Sequence, residues 1–511
     1  MNSGIGTVIS RNENPNPSKV DFIVNSGILH RGMYVEIDYL EGTMIVLVEN
    51  VFKTNRYFER AESVKEFESN GKNLYDHFPV TEWEYLVAEG RPLGVFKESL
   101  MKRPSFPPSP GTKVRIASNE SLKRFLNFDE SNGLNLGKIE FHDLTVKLNL
   151  TKLFQKHLAI LAMSGSGKSF CTSALIEELL ERKKEQGRIA AVLFDVHGEY
   201  TSFAEPVTDD KHSDYSSKTK VIKSREVKFG ASKLSLGDFS AFIPDLSGAQ
   251  KRNLGKVLGK LKQEMKEGQG PYNLTSIKNE LKADAEIKGN TLSTLIANLN
   301  SLEETSLFSN VDYPNIEEFV FPGQLTVIDL SSEIELKRKN MIVAFFARKL
   351  FNLRRSSRVP PFTLILEEAH NFIPQFTSSK ESISKSIFRT IAREGRKFGA
   401  GLTLISQRPY QLDVTTLSQC NTNIFMRITN PNDLKFISES TESIDKRSLD
   451  MITSLRVGEA LIVGEAVSNP VFFKVRNRKS LPSRHEQPME EAAKNYELNS
   501  EKEEKETENF L

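Results

Sequence analysis

Leu158-Ala159-Ile160-Leu161-Ala162-Met163-Ser164-Gly165-Ser166-Gly167-Lys168-Ser169-Phe170 runs from four apolar residues through a Ser/Gly-rich loop into Lys-Ser. Leu158–Leu161 reads as a buried strand, and a helix is expected to begin near Phe170. Strand, loop and helix in that order form the setting a phosphate-binding loop requires. The loop from Ser164 through Gly165, Ser166 and Gly167 would wrap phosphates with its backbone N–H groups. The helix N-terminus at Lys168, Ser169 and Phe170 adds a favourable dipole. Lys168 would reach the β- and γ-phosphates of ATP, and the Ser169 hydroxyl would ligate Mg²⁺. The first position of the pattern is usually Gly and is Ala162 here, which tolerates positive φ less well. The alternative is a Ser/Gly-rich turn without a ligand.

Downstream of this loop, apolar runs alternate with helical stretches, the pattern of a parallel α/β sheet. Strands are expected at Leu158–Leu161, Ala190–Phe194, Leu325–Leu330, Thr363–Leu366 and Leu402–Ile405. Leu364-Ile365-Leu366-Glu367-Glu368-Ala369-His370 ends an apolar strand in two carboxylates. Glu367 would support Mg²⁺ directly or through water, and Glu368 would orient and deprotonate the attacking water. Acids also favour a helix start for its dipole alone. Asp195-Val196-His197-Gly198-Glu199-Tyr200 follows another strand, where ligands of such sheets bind, so Asp195 is expected to point toward the nucleotide. A turn built from Asp, His and Gly is the alternative. Gln407, in Ser406-Gln407-Arg408-Pro409, caps the neighbouring strand, where its amide could sense the γ-phosphate. Arg393 or Arg396 could reach a neighbouring subunit's ATP, or could lie on a solvated helix face.

The segment from Leu234 to Ser309 is rich in Lys, Glu and Leu with helical spacing at Leu254, Val257, Leu258 and Leu261. It reads as a helical insertion, about 234–309, in an ATPase domain spanning 151–480. Within it, Leu246-Ser247-Gly248-Ala249-Gln250 resembles the signature of ABC-type ATPases but lies 117 residues before Glu367. It is read instead as a loop and helix start, with Ser247 as the cap. Residues 1–120 carry short β-like runs, including Val20–Val24, Arg31–Ile37, Thr43–Val48 and Lys113–Ala117, which suggest a small β-barrel. Residues 121–150 read as a connector. Glu459–Val463 and Val471–Val475 read as a terminal hairpin. Residues 481–511 form an acidic tail expected to be disordered.

The chain has 511 residues, 38% hydrophobic and 27% charged, which indicates a soluble protein of more than one domain. No apolar run is long enough for a bilayer, and the polar N-terminus shows no secretory signal. Two cysteines, Cys171 and Cys420, argue against a disulfide framework or zinc site and fit a cytoplasmic setting. Net charge is +2, yet Glu486–Leu511 carries nine acids and three lysines, leaving +8 on the remainder. That distribution is compatible with nucleic acid held in a channel, but charge alone favours a solvated surface and a disordered tail. The basic runs Arg354–Arg358 and Lys337–Lys339 are read as surface charge.

Taken together, the Ser-Gly-Ser-Gly-Lys-Ser loop, Asp195–Tyr200, Glu367–His370, Arg393–Gly399 and Ser406–Pro409 resemble the HerA family, within the HerA/FtsK branch of RecA-like ATPases. The resemblance covers roughly residues 1–480, and the N-terminal region is similar to that family's HAS-barrel. It implies an α/β RecA-like domain with a helical insertion behind a small barrel, and a homohexameric ring with ATP between subunits and DNA through the centre. It implies Lys168 and Ser169 on nucleotide and Mg²⁺, Glu368 as catalytic base, Arg393 as the trans arginine, and roles for Asp195 and Gln407. It also implies a separate partner: a nuclease in DNA-end processing, or a nuclease or sirtuin-like effector in antiphage defence. No nuclease or NADase site is recognisable in the chain itself. Two functions therefore stand as expectations: an ATP-driven DNA translocase or helicase, and an ATP-binding scaffold that organises an effector. The motor motifs report on ATP and not on the polymer that is moved.

Overall fold

The computed structural model describes residues 4–497 apart from 11–14, 26–27, 56–57, 59–60, 70, 72–78, 98–99, 288, 378–381, 442–443, 445, 484–488, 492 and 495. Much of the acidic tail, 481–511, lies outside these residues. The chain divides into two compact units. One comprises 1–149, 443–454 and 459–475; the other comprises 150–442, 455–458 and 476–511.

The second unit is built on seven parallel strands. Their spatial order is Thr219–Lys223, Leu325–Asp329, Ala190–Asp195, Phe362–Leu366, Ala400–Ser406, Leu158–Leu161 and Thr422–Phe425. The register runs Ala191↔Leu325, Ala191↔Thr363, Leu364↔Leu402, Leu158↔Thr403 and Leu158↔Thr422. Five of these strands sit where the apolar runs placed them. Their residues are buried almost without exception, as expected for parallel strands covered on both faces. Thr219–Lys223 and Thr422–Phe425 were not anticipated. The first is an edge strand in which Ile222 alone is buried, and the second has only four residues, so neither carries a strong apolar run.

His157 ties the sheet together just before the phosphate-loop strand. Its Nδ1 accepts the Leu402 N–H at 3.0 Å, and its Nε2 lies 2.9 Å from the Ala392 carbonyl. Burial holds its pKa at about 4, so the ring is neutral and can serve both partners.

The helical insertion lies between the Thr219–Lys223 and Leu325–Asp329 strands. Its helices are Leu236–Phe242, Gly248–Lys266, Leu274–Ala283 and Gly289–Glu304. A two-residue parallel pairing, Phe229↔Phe308 and Gly230↔Ser309, closes its base. Ser235, Ser247 and Asn273 cap three of these helices. Ser247 Oγ accepts the Gln250 N–H at 3.3 Å, and Gln250 Oε1 accepts the Ser247 N–H at 2.7 Å. The ABC-like run is thus a capping box.

The first unit holds a closed barrel. The order is Val20–Val24, Gly6–Ile9, Lys113–Ile116, Tyr34–Tyr39, Gly42–Asn55 and Glu84–Lys97, and Phe22↔Ala88 pairing returns to the first strand. Phe22, Val35, Ile37, Met44, Val46 and Val114 fill it. Glu84–Lys97 was missed because Gly90, Pro92 and Gly94 break its pattern. Its long partner strand has irregularities at Ile45/Val46 and Val48/Asn50, and a Cβ at Gly90 would lie 2.4 Å from Val46 Cγ1. Residues 121–150, read as a connector, carry most of the helix Asn119–Leu126 and the strands Leu134–Ile139 and Thr145–Leu148. Leu134–Ile139 also pairs with Val471–Val475 of the expected hairpin, so that hairpin clusters with the first unit. Sequence distance hides such a pairing.

Candidate functional site

At the C-terminal ends of the parallel strands of the second unit lies a cleft of about 510 Å³. It is lined by Met163, Ser164, Gly165, Gly167, Lys168, Ser169 and Phe170 from the loop, with His197, Glu199, Glu368, Gln407 and Val457 around them. The loop's left-handed positions fall on its glycines, at φ +74° for Gly165 and +101° for Gly167. A Cβ at Gly167 would come within 3.1 Å of Met426 Cε and 3.4 Å of the Gly458 nitrogen. Ala162 is fully buried and does not have positive φ, so the missing glycine causes no strain. Ser166 is buried and faces the loop itself. Its Oγ donates to the Met163 carbonyl at 2.7 Å, and its own carbonyl accepts the Gly458 N–H at 3.1 Å. The helix Lys168–Glu181 begins directly on Gly167.

Lys168 Nζ donates to Glu368 Oε1 at 2.5 Å, and both side chains are almost wholly buried. Glu368 ends the Phe362–Leu366 strand in a left-handed conformation, φ +45°, an unfavourable geometry for a residue with a Cβ and one that recurs at functional sites. Its Oε2 lies 3.3 Å from His370 Nδ1, which is 3.1 Å from Ser406 Oγ; the Arg408 N–H donates to that same oxygen at 3.0 Å. Burial lowers the His370 pKa, which favours the neutral ring. Gln407 lines the cleft from the strand between the loop strand and the Glu368 strand.

Two expected site residues are engaged elsewhere. Asp195 does not line the cleft. Its Oδ1 accepts the N–H groups of Gly198 (2.7 Å) and Glu199 (3.1 Å), and its Oδ2 accepts that of Tyr200 (2.9 Å). The carboxylate shapes its own turn, the alternative that motif allowed. Glu367 is fully buried beneath the cleft; its Oε2 accepts the Val196 N–H at 2.8 Å and the His197 N–H at 3.4 Å. Burial, then the Asp195 and Glu199 charges, pushes its pKa well above the usual carboxylate range. Among the turn residues, His197 and Glu199 face the cleft, and sequence reasoning had not singled them out.

Arg393 and Arg396 are exposed on the helix Lys385–Phe398 and do not line this chain's own cleft. The other basic runs are tied into the fold. Arg354 Nε donates to the Phe398 carbonyl at 2.6 Å, Arg358 pairs with Glu317 at 2.6 Å, and Arg338 pairs with Glu333 at 3.2 Å. Both cysteines are buried and free.

A return segment clamps the helix that follows the loop. Arg476 donates to Glu177 Oε2 at 2.6 Å. The Lys479 N–H, the Ser480 N–H and Ser480 Oγ each donate to Glu177 Oε1 at 2.8 Å. This arrangement satisfies a carboxylate that is fully buried.

The cleft therefore offers backbone donors, one lysine, two serine hydroxyls, an imidazole, two carboxylates and an amide. Among the described residues no cluster of three or more His, Cys, Asp or Glu is arranged to hold a metal alone. A cation here would need a ligand's phosphates as well, which suits Mg²⁺. Among the described residues no helix is long and apolar enough to cross a membrane.

Residues 134–350 match the family model described as "Helicase HerA, central domain". The match includes Lys168 and ends before Glu368. The chain is 29% identical over 466 residues to the DNA double-strand break repair helicase HerA of Saccharolobus solfataricus, covering 87% of each chain. It is 27% identical over 469 residues to the protein of that name from Sulfolobus acidocaldarius, covering 88% of each. Among solved structures, VirB4 of Thermoanaerobacter pseudethanolicus aligns at 16% identity with a TM-score of 0.51, over 68% of this chain and 98% of that one. That likeness concerns the fold.

Proposed function

We propose that the chain is a HerA-type P-loop ATPase that couples ATP hydrolysis to movement along double-stranded DNA. The observation that carries the reading is one cleft in which Lys168, Ser169, Glu368 and Gln407 meet under a loop whose left-handed turns fall on Gly165 and Gly167. In this reading the loop's N–H groups hold the phosphates, and Lys168 leaves Glu368 for the β- and γ-phosphates. Ser169 contributes to Mg²⁺, which supplies charge neutralisation of the phosphates when bound. Glu368, released from Lys168, takes the proton of the attacking water, and Gln407 contacts the γ-phosphate. Asp195 and Glu367 act from behind by shaping the turn that carries His197 and Glu199.

The cleft contains no arginine of its own among the described residues, whereas Arg393 is exposed. This supports Arg393 as a trans residue in a homohexameric ring, with DNA in the centre and a separate nuclease or effector chain as partner, in DNA-end processing or antiphage defence. The test is ATP turnover with and without linear double-stranded DNA at low and moderate salt, beside Glu368→Gln. Turnover stimulated by DNA, weakened by salt and lost in the variant is the expected result. Turnover indifferent to every form of DNA would overturn the DNA reading and leave the ATPase intact.

A further inference from the structure

The turn that leaves the Ala190–Asp195 strand sends its side chains two ways. Asp195 folds back on three N–H groups of its own turn, while His197 and Glu199 face the cleft. Glu199 is half-buried there, and its Oε2 is shielded from solvent without a hydrogen-bond partner. An orphaned carboxylate oxygen is unfavourable unless a donor or cation reaches it. Lys168 is the only lysine or arginine among the described residues lining the cleft, and it is turned to Glu368.

Binding a nucleoside triphosphate sharpens this imbalance. Lys168 is then drawn to the phosphates, and the cleft holds two carboxylates and a triphosphate against one lysine. Mg²⁺ answers that arrangement. It keeps several of its waters and is held through one or two carboxylates together with substrate phosphates. Glu367 Oε1 is likewise shielded and without a hydrogen-bond partner, but Glu367 does not line the cleft, and its Oε2 is taken by the Val196 and His197 N–H groups.

We propose that Glu199, rather than Glu367, is the carboxylate that receives the hydrated Mg²⁺ of the bound nucleotide. The inference rests on the nucleotide reading above. Glu199 is thereby a positioning residue: it holds the cation's water shell, while the loop and Lys168 hold the phosphates. Its carboxylate should matter for the metal and not for the nucleotide alone.

The experiment uses the full chain, with wild type, Glu199→Gln and Glu199→Asp. Binding of a fluorescent, non-hydrolysable ATP analogue is titrated in EDTA and in Mg²⁺. Mn²⁺ retention by the protein–analogue complex is followed by electron paramagnetic resonance. Glu199→Gln is expected to weaken Mn²⁺ retention about 10- to 100-fold, the range for losing a group that orients a metal's ligands. Affinity in EDTA should be unchanged or tighter, because a negative charge has been removed. Glu199→Asp, which keeps the carboxylate on a shorter arm, should fall between. A folded Glu199→Gln variant that retains Mn²⁺ like wild type would overturn the proposal. So would equal losses with and without metal, since that is the mark of a structural role. Wild type that binds no nucleotide in either condition would instead overturn the nucleotide reading, and this inference with it.

Discussion

Glu368 and the phosphates of an incoming nucleotide compete for the same lysine. Lys168 Nζ sits 2.5 Å from Glu368 Oε1, with side-chain exposures of 11% and 4%. A hydrogen bond to a charged group contributes about 1.5–3 kcal/mol, against about 0.5–1.5 kcal/mol for a neutral one. Glu368→Gln keeps the volume and one acceptor oxygen but removes the charge. Freeing Lys168 therefore becomes easier by about 1–2 kcal/mol, which corresponds to about 5- to 30-fold tighter nucleotide binding. Loss of repulsion between carboxylate and phosphates acts in the same direction. Hydrolysis should fall by about 10²–10⁴-fold, the usual contribution of a positioned base. Titration with a non-hydrolysable ATP analogue reads the first effect, and steady-state phosphate release reads the second. A variant that binds the analogue no better than wild type would refute the competition. One that hydrolyses within tenfold of wild type would refute Glu368 as base.

Three further perturbations follow from the same geometry. Gly167→Ala places a side chain at φ +101° and 3.1 Å from Met426 Cε. The left-handed conformation alone costs about 1–2 kcal/mol, so nucleotide affinity should drop about tenfold in an analogue titration, and unchanged affinity would count against the loop geometry. Glu177→Ala removes the shared acceptor of the Lys479 and Ser480 N–H groups and one of the two carboxylates that pair with Arg476, which keeps Glu178. Breaking such a buried pair costs about 3–5 kcal/mol in denaturant unfolding, and a loss under 1 kcal/mol would show that the return segment is not a clamp. Burial holds His142 and His157 at about 4, below the ordinary value near 6.5, while each accepts a backbone N–H at 3.0 Å. The unfolded chain thus binds more protons between pH 6.5 and 4. Stability should be full above that window and fall across it, by up to about 3 kcal/mol for each histidine, and a flat melting profile from pH 7 to 4 would contradict this.

The sheet was legible because parallel strands buried on both faces must be apolar throughout, and Leu158–Leu161, Ala190–Phe194 and Thr363–Leu366 each meet that demand. The phosphate loop was legible because its glycines carry a backbone requirement that few other residues satisfy, seen at Gly165 and Gly167. Strands that break those rules stayed hidden. Thr219–Lys223 lies at an edge and needs one buried side chain, and Glu84–Lys97 bends through Gly90 and Pro92. The pairing of Leu134–Ile139 with Val471–Val475 joins segments more than three hundred residues apart, and no local pattern announces it.

Within the site, sequence assigned residue type well and direction poorly. Asp195 and Glu367 are acids at strand ends, where a ligand binds, so both were read as facing it. Direction at a strand end depends on whether the following turn needs the carboxylate for its own N–H groups, and that is a property of the backbone path. Asp195 meets three such groups in its own turn, Glu367 accepts two N–H groups of that same turn from the neighbouring strand, and neither residue lines the cleft. Their effect on chemistry is indirect. By holding Val196 through Tyr200 in one tight path, they keep Glu199 aimed into the cleft, and Glu367 anchors the strand end from which Glu368 departs at φ +45°. A charge-neutral replacement at Asp195 should therefore disturb the cleft through the turn, whereas one at Glu368 or Glu199 acts on the bound nucleotide and cation themselves.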